Sequence, residues 1–452
     1  MSIVIIGDII LDTNYISIVN RKAPEADIPI YNILDVNYIL GGASNVAHNL
    51  KNLDINIDLV SVIGNDENGN KIKGILNNRN IKNYLLIDKT RKTTEKNRIF
   101  YNDKITVRYD IEDPTDISNE LADKILEYIK NKSDIHSIII SDYDKGVVTE
   151  YLSQNLIEYC NKNNIYTFVD PKIKNVNKYK NCFLFKPNFH EANIITKKTE
   201  INDILNELNI VLSCNNILLT NGEKGMYLNS EENHIYHDKK ITVSDVTGAG
   251  DIVLTIITYI FYKENDLMLA TKIANYIAGK SVTKIGNYIV SKKDIDDYYL
   301  ITNKIIHENE SEKIKALSKN KNIVFTNGCF DIIHSAHVKL LQFAKKKGNM
   351  LVVGLNSDQS IKNIKGERRP INDLDERCEL LLNLNIIDYI IVFDNNTPYN
   401  ILKNLKPQTI IKGGDYTREQ IIGSEFSEQI ILFDFIKNKS TSLIVDKIIS
   451  FS

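Results

Sequence analysis

Short, β-rich apolar runs recur along this chain, with helical patterns filling the intervals between them. SIVIIG, IDLVSVIG, SIIISD, YTFVD, CFLFKPN and NILLTNG follow one another between Ser2 and Gly222. Such alternation predicts a parallel sheet covered by helices. The rhythm weakens between Asp294 and Lys319, where charge and Asn dominate. It restarts with NIVFTNG and continues through MLVVGLNSD, DYIIVF, TIIKGGD and QIILFDF. The expected organisation is therefore an α/β domain over 1–300, a partly helical linker over 301–319 and a smaller parallel-sheet domain over 320–452. Residues 13–40 and 91–110 break the pattern, mixing polar and β-branched residues without helical period. They predict a small extra sheet projecting from the main one.

A chain of 452 residues suits two or three domains, and 43% hydrophobic residues suffice for their cores. The formal charge of −2 argues against a nucleic-acid surface. Cys160, Cys182, Cys214, Cys329 and Cys378 are scattered without a CxxC, which argues against a disulfide framework or zinc site. The opening MSIVIIGDIILD lacks a basic flank and a cleavage site, so it is expected to be a buried strand rather than a signal. No apolar stretch is long enough for a bilayer, so a cytoplasmic protein with no membrane partner is expected.

In the first half, SDVTGAGD runs into the helical stretch IVLTIITYIFY. Gly248 and Gly250 allow backbone amides to converge, and a helix start adds unsatisfied N–H groups and a positive dipole end. Together they suit an anion such as a transferring phosphoryl group. Asp251 there could accept a proton from an attacking hydroxyl. A glycine turn with Asp as a helix cap fits the same residues. GDIILD, GGASN, KPNFHEAN and TNGEKG follow the same rule: each alone is a turn or cap, but together they form an ordered set.

That set resembles the ribokinase-like (PfkB) sugar kinases over roughly residues 1–300. The resemblance implies that Asp251 is the catalytic base and that Gly248, Ala249 and Gly250 form the anion hole. It implies sugar contacts from Asp12, Gly41, Gly42 and Asn45, and ATP contacts from Asn188, Glu191, Thr220, Gly222 and Asn275. Glu191 would also meet magnesium through water or phosphate. RKAPEADIPI, Arg21 to Ile30, is similar to a segment of the heptose-phosphate kinases, with Asp27 replacing a proline. Residues 13–40 would then form a lid that also pairs subunits into a homodimer. Asp142, Lys145 and Lys172 become candidate sugar-phosphate contacts.

In the second half, TNGCFDIIHSAHVKLL places His334 and His337 on one face at a helix start. Both could donate to nucleotide phosphates. Zinc is the rival reading, but no Cys or carboxylate stands at metal spacing nearby. GLNSD, KGERRP, IKGGDY and KSTSLIVDKI complete the set, which resembles the cytidylyltransferase-like nucleotidyltransferases over roughly 320–450. By that resemblance Asn327, Gly328, Phe330, Asn356, Asp358, Lys365, Arg369, Gly414, Asp415, Ser440, Thr441 and Ser442 would bind nucleotide. The departure is Ala336, where the family pattern has glycine.

The two halves in this order resemble the bifunctional heptose kinase/adenylyltransferases. The resemblance implies phosphorylation of a heptose 7-phosphate at C1, then adenylylation of the 1-phosphate. It implies ATP, Mg2+ and a monovalent cation such as K+. A sugar kinase with a C-terminal domain that only binds nucleotide, and a non-catalytic nucleotide sensor, remain the alternatives.

Overall fold

The structure is a computed structural model that describes residues 1–229, 234–235, 243–284, 286–318, 321–413, 417 and 420–433. The chain divides into two compact units, Met1–Ile295 and Asp296–Ser452.

The first unit carries a nine-stranded sheet. Its order is His234–Ile235, Met226–Leu228, Asn216–Thr220, Leu184–Phe185, Tyr166–Asp170, Ile135–Ser141, Ser2–Gly7, Ile57–Gly64 and Asn83–Asp88. The pairings from Asn216–Thr220 to Asn83–Asp88 are parallel, and the two edge strands beyond Thr220 are antiparallel. An internal strand covered on both faces is buried along its whole length, which is why IDLVSVIG, mostly apolar, shows no simple alternation. All eight of its residues are buried. Helices Asn119–Lys130 and Glu150–Lys162 cover one face, capped by the Ser118 and Thr149 side chains. They bury Ile125, Ile129, Leu152 and Leu156 against Val4, Ile6, Ile138 and Ile140. Each such side chain contributes about 1.5–3 kcal/mol.

After Gly7 the chain leaves this sheet. Strands Pro29–Gly42, Ile9–Lys22, Glu95–Tyr101 and Lys104–Ile111 form a separate four-stranded sheet in that order. It is the projecting sheet expected from residues 13–40 and 91–110. Alternation puts Lys96 and Arg98 on one face of Glu95–Tyr101.

The second unit holds six parallel strands in the order Ile305–His307, Tyr389–Phe393, Met350–Asn356, Ile323–Gly328, Thr409–Gly413 and Gln429–Phe433. Residues expected as a linker take part in it. Ile305 pairs with Ile390 at the sheet edge, and Ser311–Leu317 is a helix. The short apolar pair Ile305–Ile306, hidden in a charged stretch, is enough for an edge strand. Val324, Leu351, Val353, Leu381 and Ile390 form its core with Leu341.

Candidate functional site

In the first unit, chemistry-bearing residues gather where parallel strands end. In open α/β sheets this is where ligands bind. Asp8 follows Gly7, Tyr143 follows Ser141, and Asp170 and Thr220 end their own strands. Lys186 and Asn188 follow Phe185. A cavity of about 420 Å³ opens there, lined by Asp12, Gly41, Gly42, Asn45, Lys172, Asn188, Glu191, Thr220, Gly248, Gly250 and Asp251.

Two glycines shape it. Gly42 has φ 61 and precedes the helix Ala43–Asn52; a Cβ there would lie 2.3 Å from the Asp8 carbonyl oxygen. Gly248, with φ 75, precedes the helix Ala249–Glu264. Both positions therefore require a residue without a side chain. Gly248 turns the chain so that Asp251 sits in the first helical turn. Asn45 Nδ2 donates to Asp251 Oδ2 at 2.7 Å, across 206 residues of sequence. The Tyr143 hydroxyl donates to Asp251 Oδ1. Arg98 from the projecting sheet donates to Asp12 Oδ1 at 2.6 Å. Lys186 pairs with Asp170 at 2.9 Å.

In the second unit, His334 precedes the helix Ser335–Lys345, and His337 lies in its first turn. Their rings stack with centroids 3.8 Å apart. Phe330 packs on His337 at 5.0 Å. The Phe330 ring also closes over Gly328, where a Cβ would meet it at 3.1 Å. Behind this face lies Arg377, fully buried. Its guanidinium donates to the carbonyls of Cys329 and Asn356, each at 2.8 Å, to the Asn372 carbonyl at 3.2 Å and to Asp358 at 2.7 Å. It thereby ties two strand ends, at Cys329 and Asn356, to the loop before the helix Leu374–Leu382. Lys412 Nζ donates to Asn327 Oδ1 at 2.6 Å.

Residues 2–294 match the pfkB family carbohydrate kinase model, and residues 325–445 match the cytidylyltransferase-like model. The bifunctional protein HldE of Aliarcobacter butzleri is 36% identical over 462 residues, covering 99% of this chain and 97% of its own length. The protein of the same name from Sulfurimonas denitrificans is 37% identical over 465 residues, with the same coverage of both chains. The chain belongs to the bifunctional HldE family. It is an enzyme of the heptose kinase/adenylyltransferase type, with a sugar kinase and a nucleotidyltransferase domain. Among solved structures, phosphofructokinase-2 of Escherichia coli in complex with fructose-6-phosphate has a TM-score of 0.54 at 16% identity, covering 66% of this chain and 97% of that one. Ribokinase of Thermotoga maritima has 0.51 at 16%, covering 66% and 98%. These show the ribokinase-like fold.

Within this HldE-family chain, burial pushes the Asp251 carboxyl up to about 6, opposed by the hydrogen bonds from Asn45 and Tyr143. Burial, reinforced by neighbouring Asp142, pushes Asp8 up to about 6 against three backbone N–H bonds. In the second unit, burial with the charges of His334 and Lys365 brings His337 down to about 4. Burial brings Lys412 down to about 8.

Several residues expected as contacts have partners within the fold or stand outside the cavity lining. Asp142 is 2% exposed and outside the cavity lining. It accepts from the Tyr179 hydroxyl, from the Asp144 amide at 2.7 Å and from Lys178. It braces the loop Asp142–Val147. Lys145 pairs with Glu112 at 2.8 Å. Gly222 is an exposed turn residue, and Asn275 is buried in the helix Leu267–Ser281; neither lines the cavity. Ala249 opens its helix without lining the cavity. Arg369 pairs with Asp331 at 2.8 Å, and Lys365 ends the helix Asp358–Lys365. Asn188 and Glu191 form a capping box, and Glu191 Oε1 also accepts from Lys172 at 3.2 Å. Gly414, Asp415, Ser440, Thr441 and Ser442 lie outside the described residues.

Sequence reasoning did not single out Lys96, Arg98, Tyr143, Asp170 and Lys186, which also line the cavity. Nor did it find Arg377 or Lys412. A signal existed for two of them: Lys186 opens the KPN of KPNFHEAN, and Lys412 opens the KGGDY motif. Among the described residues no helix is long and apolar enough to cross a membrane.

Proposed function

We propose that the first unit transfers the γ-phosphoryl group of ATP to C1 of D-glycero-β-D-manno-heptose 7-phosphate. A separate phosphatase then removes the 7-phosphate. The second unit joins the resulting 1-phosphate to AMP from ATP, giving ADP-D-glycero-β-D-manno-heptose for a lipopolysaccharide core. The observation that carries the kinase reading is a buried carboxylate, Asp251, on a glycine-turned helix start facing a cavity that holds four cations, Lys96, Arg98, Lys172 and Lys186.

Asp251 accepts the proton of the C1 hydroxyl as its oxygen attacks phosphorus, because a raised carboxyl pKa places it nearer the working pH. Amides at Gly248 and Gly250 face the charge that develops on the transferring group, while that of Ala249, expected with them, donates to the Val246 carbonyl at 3.2 Å. Asp12, Gly41, Gly42 and Asn45 hold the sugar, and Lys172 is a candidate for its phosphate. Asn188, Glu191 and Thr220 lie on the ATP side of the cavity. Magnesium, when bound, neutralises phosphate charge. It needs only one or two carboxylates plus water and phosphate oxygens, which Glu191 and its neighbour Asn188 suit. Among the described residues no cluster of three His, Cys, Asp or Glu could hold a metal ion alone.

In the second unit the sugar phosphate attacks the α-phosphorus of ATP and pyrophosphate leaves. No protein nucleophile is needed, only orientation and charge stabilisation. His334 and His337 face the phosphates. Asn327, Gly328, Phe330, Asn356, Asp358, Lys365 and Arg369 are the candidate nucleotide contacts, and Lys412 adds a cation.

The purified chain, given ATP, magnesium and heptose 7-phosphate, should yield the 1,7-bisphosphate by mass spectrometry. Adding the phosphatase should yield ADP-heptose. A bisphosphate that forms while heptose 1-phosphate and ATP release no pyrophosphate would leave only the kinase. The proposal extends to a cytoplasmic homodimer formed through the projecting sheet, which exposes Ile18, Ile33, Leu34, Ile105, Tyr109 and Ile111. Sedimentation of the wild type against Ile105→Asp tests it. It extends also to activation by K+, tested by the kinase rate in potassium against sodium buffer.

A further inference from the structure

The loop Asp142–Val147 is braced far more heavily than a surface turn requires. Asp8 Oδ2 accepts from the amides of Tyr143 at 2.7 Å and Lys145 at 3.1 Å, and its Oδ1 from Val147 at 3.0 Å. Asp142 anchors the same loop through Asp144, Tyr179 and Lys178. These bonds spend two buried carboxylates on one loop. The side chain they hold out to the cavity is Tyr143. Two ammonium groups lie over its ring, Lys96 at 5.8 Å and Lys172 at 5.5 Å from the centroid. Its hydroxyl ends on Asp251 Oδ1, while Asn45 holds Oδ2.

We propose that Tyr143 is a positioning residue of the kinase reaction, fixing the plane of the Asp251 carboxylate and stabilising its ionised form. This rests on the reading of Asp251 as the base. A carboxylate held at one oxygen rotates about its last torsion; held at both, it keeps its free lone pairs in one direction. Asp251 lines the cavity, where the acceptor hydroxyl must lie. A donor to the charged form also lowers a pKa. Tyr143 therefore keeps a buried base ionised against its desolvation.

The other charged groups around the pair are fixed. Asp170 and Lys186 face Asp251 from the neighbouring strand ends, while Asp12 and Lys96 of the projecting sheet and Lys172 face Tyr143. Asp170 opposes ionisation of Asp251, and Lys186 favours it. Loss of the Tyr143 hydroxyl leaves that balance intact and removes one donor.

The test uses the full chain and the pH profile of kcat/KM for the sugar phosphate. Tyr143→Phe should lower kcat roughly ten- to hundredfold, the size of one hydrogen bond to a charged group. It should move the acidic limb upward by about one pH unit and leave KM for ATP nearly unchanged. Fluorotyrosine at position 143, a stronger donor of the same shape, should move the limb downward. Opposite shifts support the proposal. An unmoved limb in both variants, with Asp251→Asn inactive, overturns it and leaves the base intact. An active Asp251→Asn overturns the base itself, and Tyr143 with it.

Discussion

Asp251 should make this protein less stable than it could be. Its folded pKa is about 6 against an ordinary 3.8. For a carboxyl shifted upward, the folded state binds the proton more tightly than the unfolded chain. The stability cost is absent below the unfolded value, grows as pH rises toward 6 and is full above it. A shift of about two units amounts to about 3 kcal/mol at full ionisation. The bonds from Asn45 and Tyr143 are already contained in that value, since both act to lower it. Asp251→Asn removes the charge and keeps the shape, and a carboxamide can accept from Asn45 while donating to the Tyr143 oxygen. The variant should therefore gain up to about 3 kcal/mol at about pH 8, and roughly half of that at about pH 5. Urea unfolding of wild type and variant at both pH values measures it, following the transition of the first unit. The kinase rate, read on the same preparations, should fall by several orders of magnitude while ATP binding persists. A variant less stable than wild type at pH 8, or equally stabilised at both pH values, would refute the reasoning. The first result would mean that Asp251 supports the fold, the second that its charge is not what burial penalises.

Three further outcomes concern the second unit. Arg377→Leu strands three carbonyls and Asp358, so it should cost that unit about 3–5 kcal/mol and abolish adenylyl transfer while the kinase rate persists; an unshifted unfolding curve would sink the idea. Ala336 lies inside the helix Ser335–Lys345 and is absent from the residues with positive φ, so Ala336→Gly should cost about 1 kcal/mol and leave the transfer rate unchanged. A large rate gain would mean instead that the methyl crowds the nucleotide. His337, held near 4, is neutral at physiological pH, so the adenylyl-transfer profile between about pH 6 and pH 8 should contain no limb that His337→Gln removes; such a limb would contradict its burial.

The sequence made the architecture readable because each buried strand carries its own evidence. A run such as IDLVSVIG is mostly apolar for a local reason, with only Asp58 and Ser61 polar, and its neighbours in the sheet need not be known. Ile305–His307 escaped because three residues in a charged stretch leave no pattern to detect. The glycine turns were readable for the same local reason as the strands. Gly42 and Gly248 hold positive φ, and a following helix start is visible beside each. Asn188 and Glu191 show the limit of this. Their spacing was correctly noticed, yet the structure uses it for a capping box on the cavity wall. The same three-residue interval serves a cap and a phosphate site equally, so spacing alone could not separate them.

Asp142 and Tyr143 explain why the rest was hidden. Both stand in SDYDKG, just past the end of one strand, and the family resemblance singled out the aspartate as a candidate sugar-phosphate contact and left the tyrosine unnamed. Residues adjacent in an extended chain point in opposite directions. Here the aspartate turns inward to Tyr179 and Lys178, and the tyrosine turns toward the cavity. Which of the two faces the ligand depends on Asp8, 135 residues from Tyr143, whose carboxylate draws the loop amides inward. The same holds for Asn45, which meets Asp251 across 206 positions. Contacts at such separations follow from the order of strands in the sheet, and a single sequence fixes that order only after the fold is known. Which of Asp142 and Tyr143 reaches the cavity was therefore a question of topology, on which the chemistry of the two side chains carries no information.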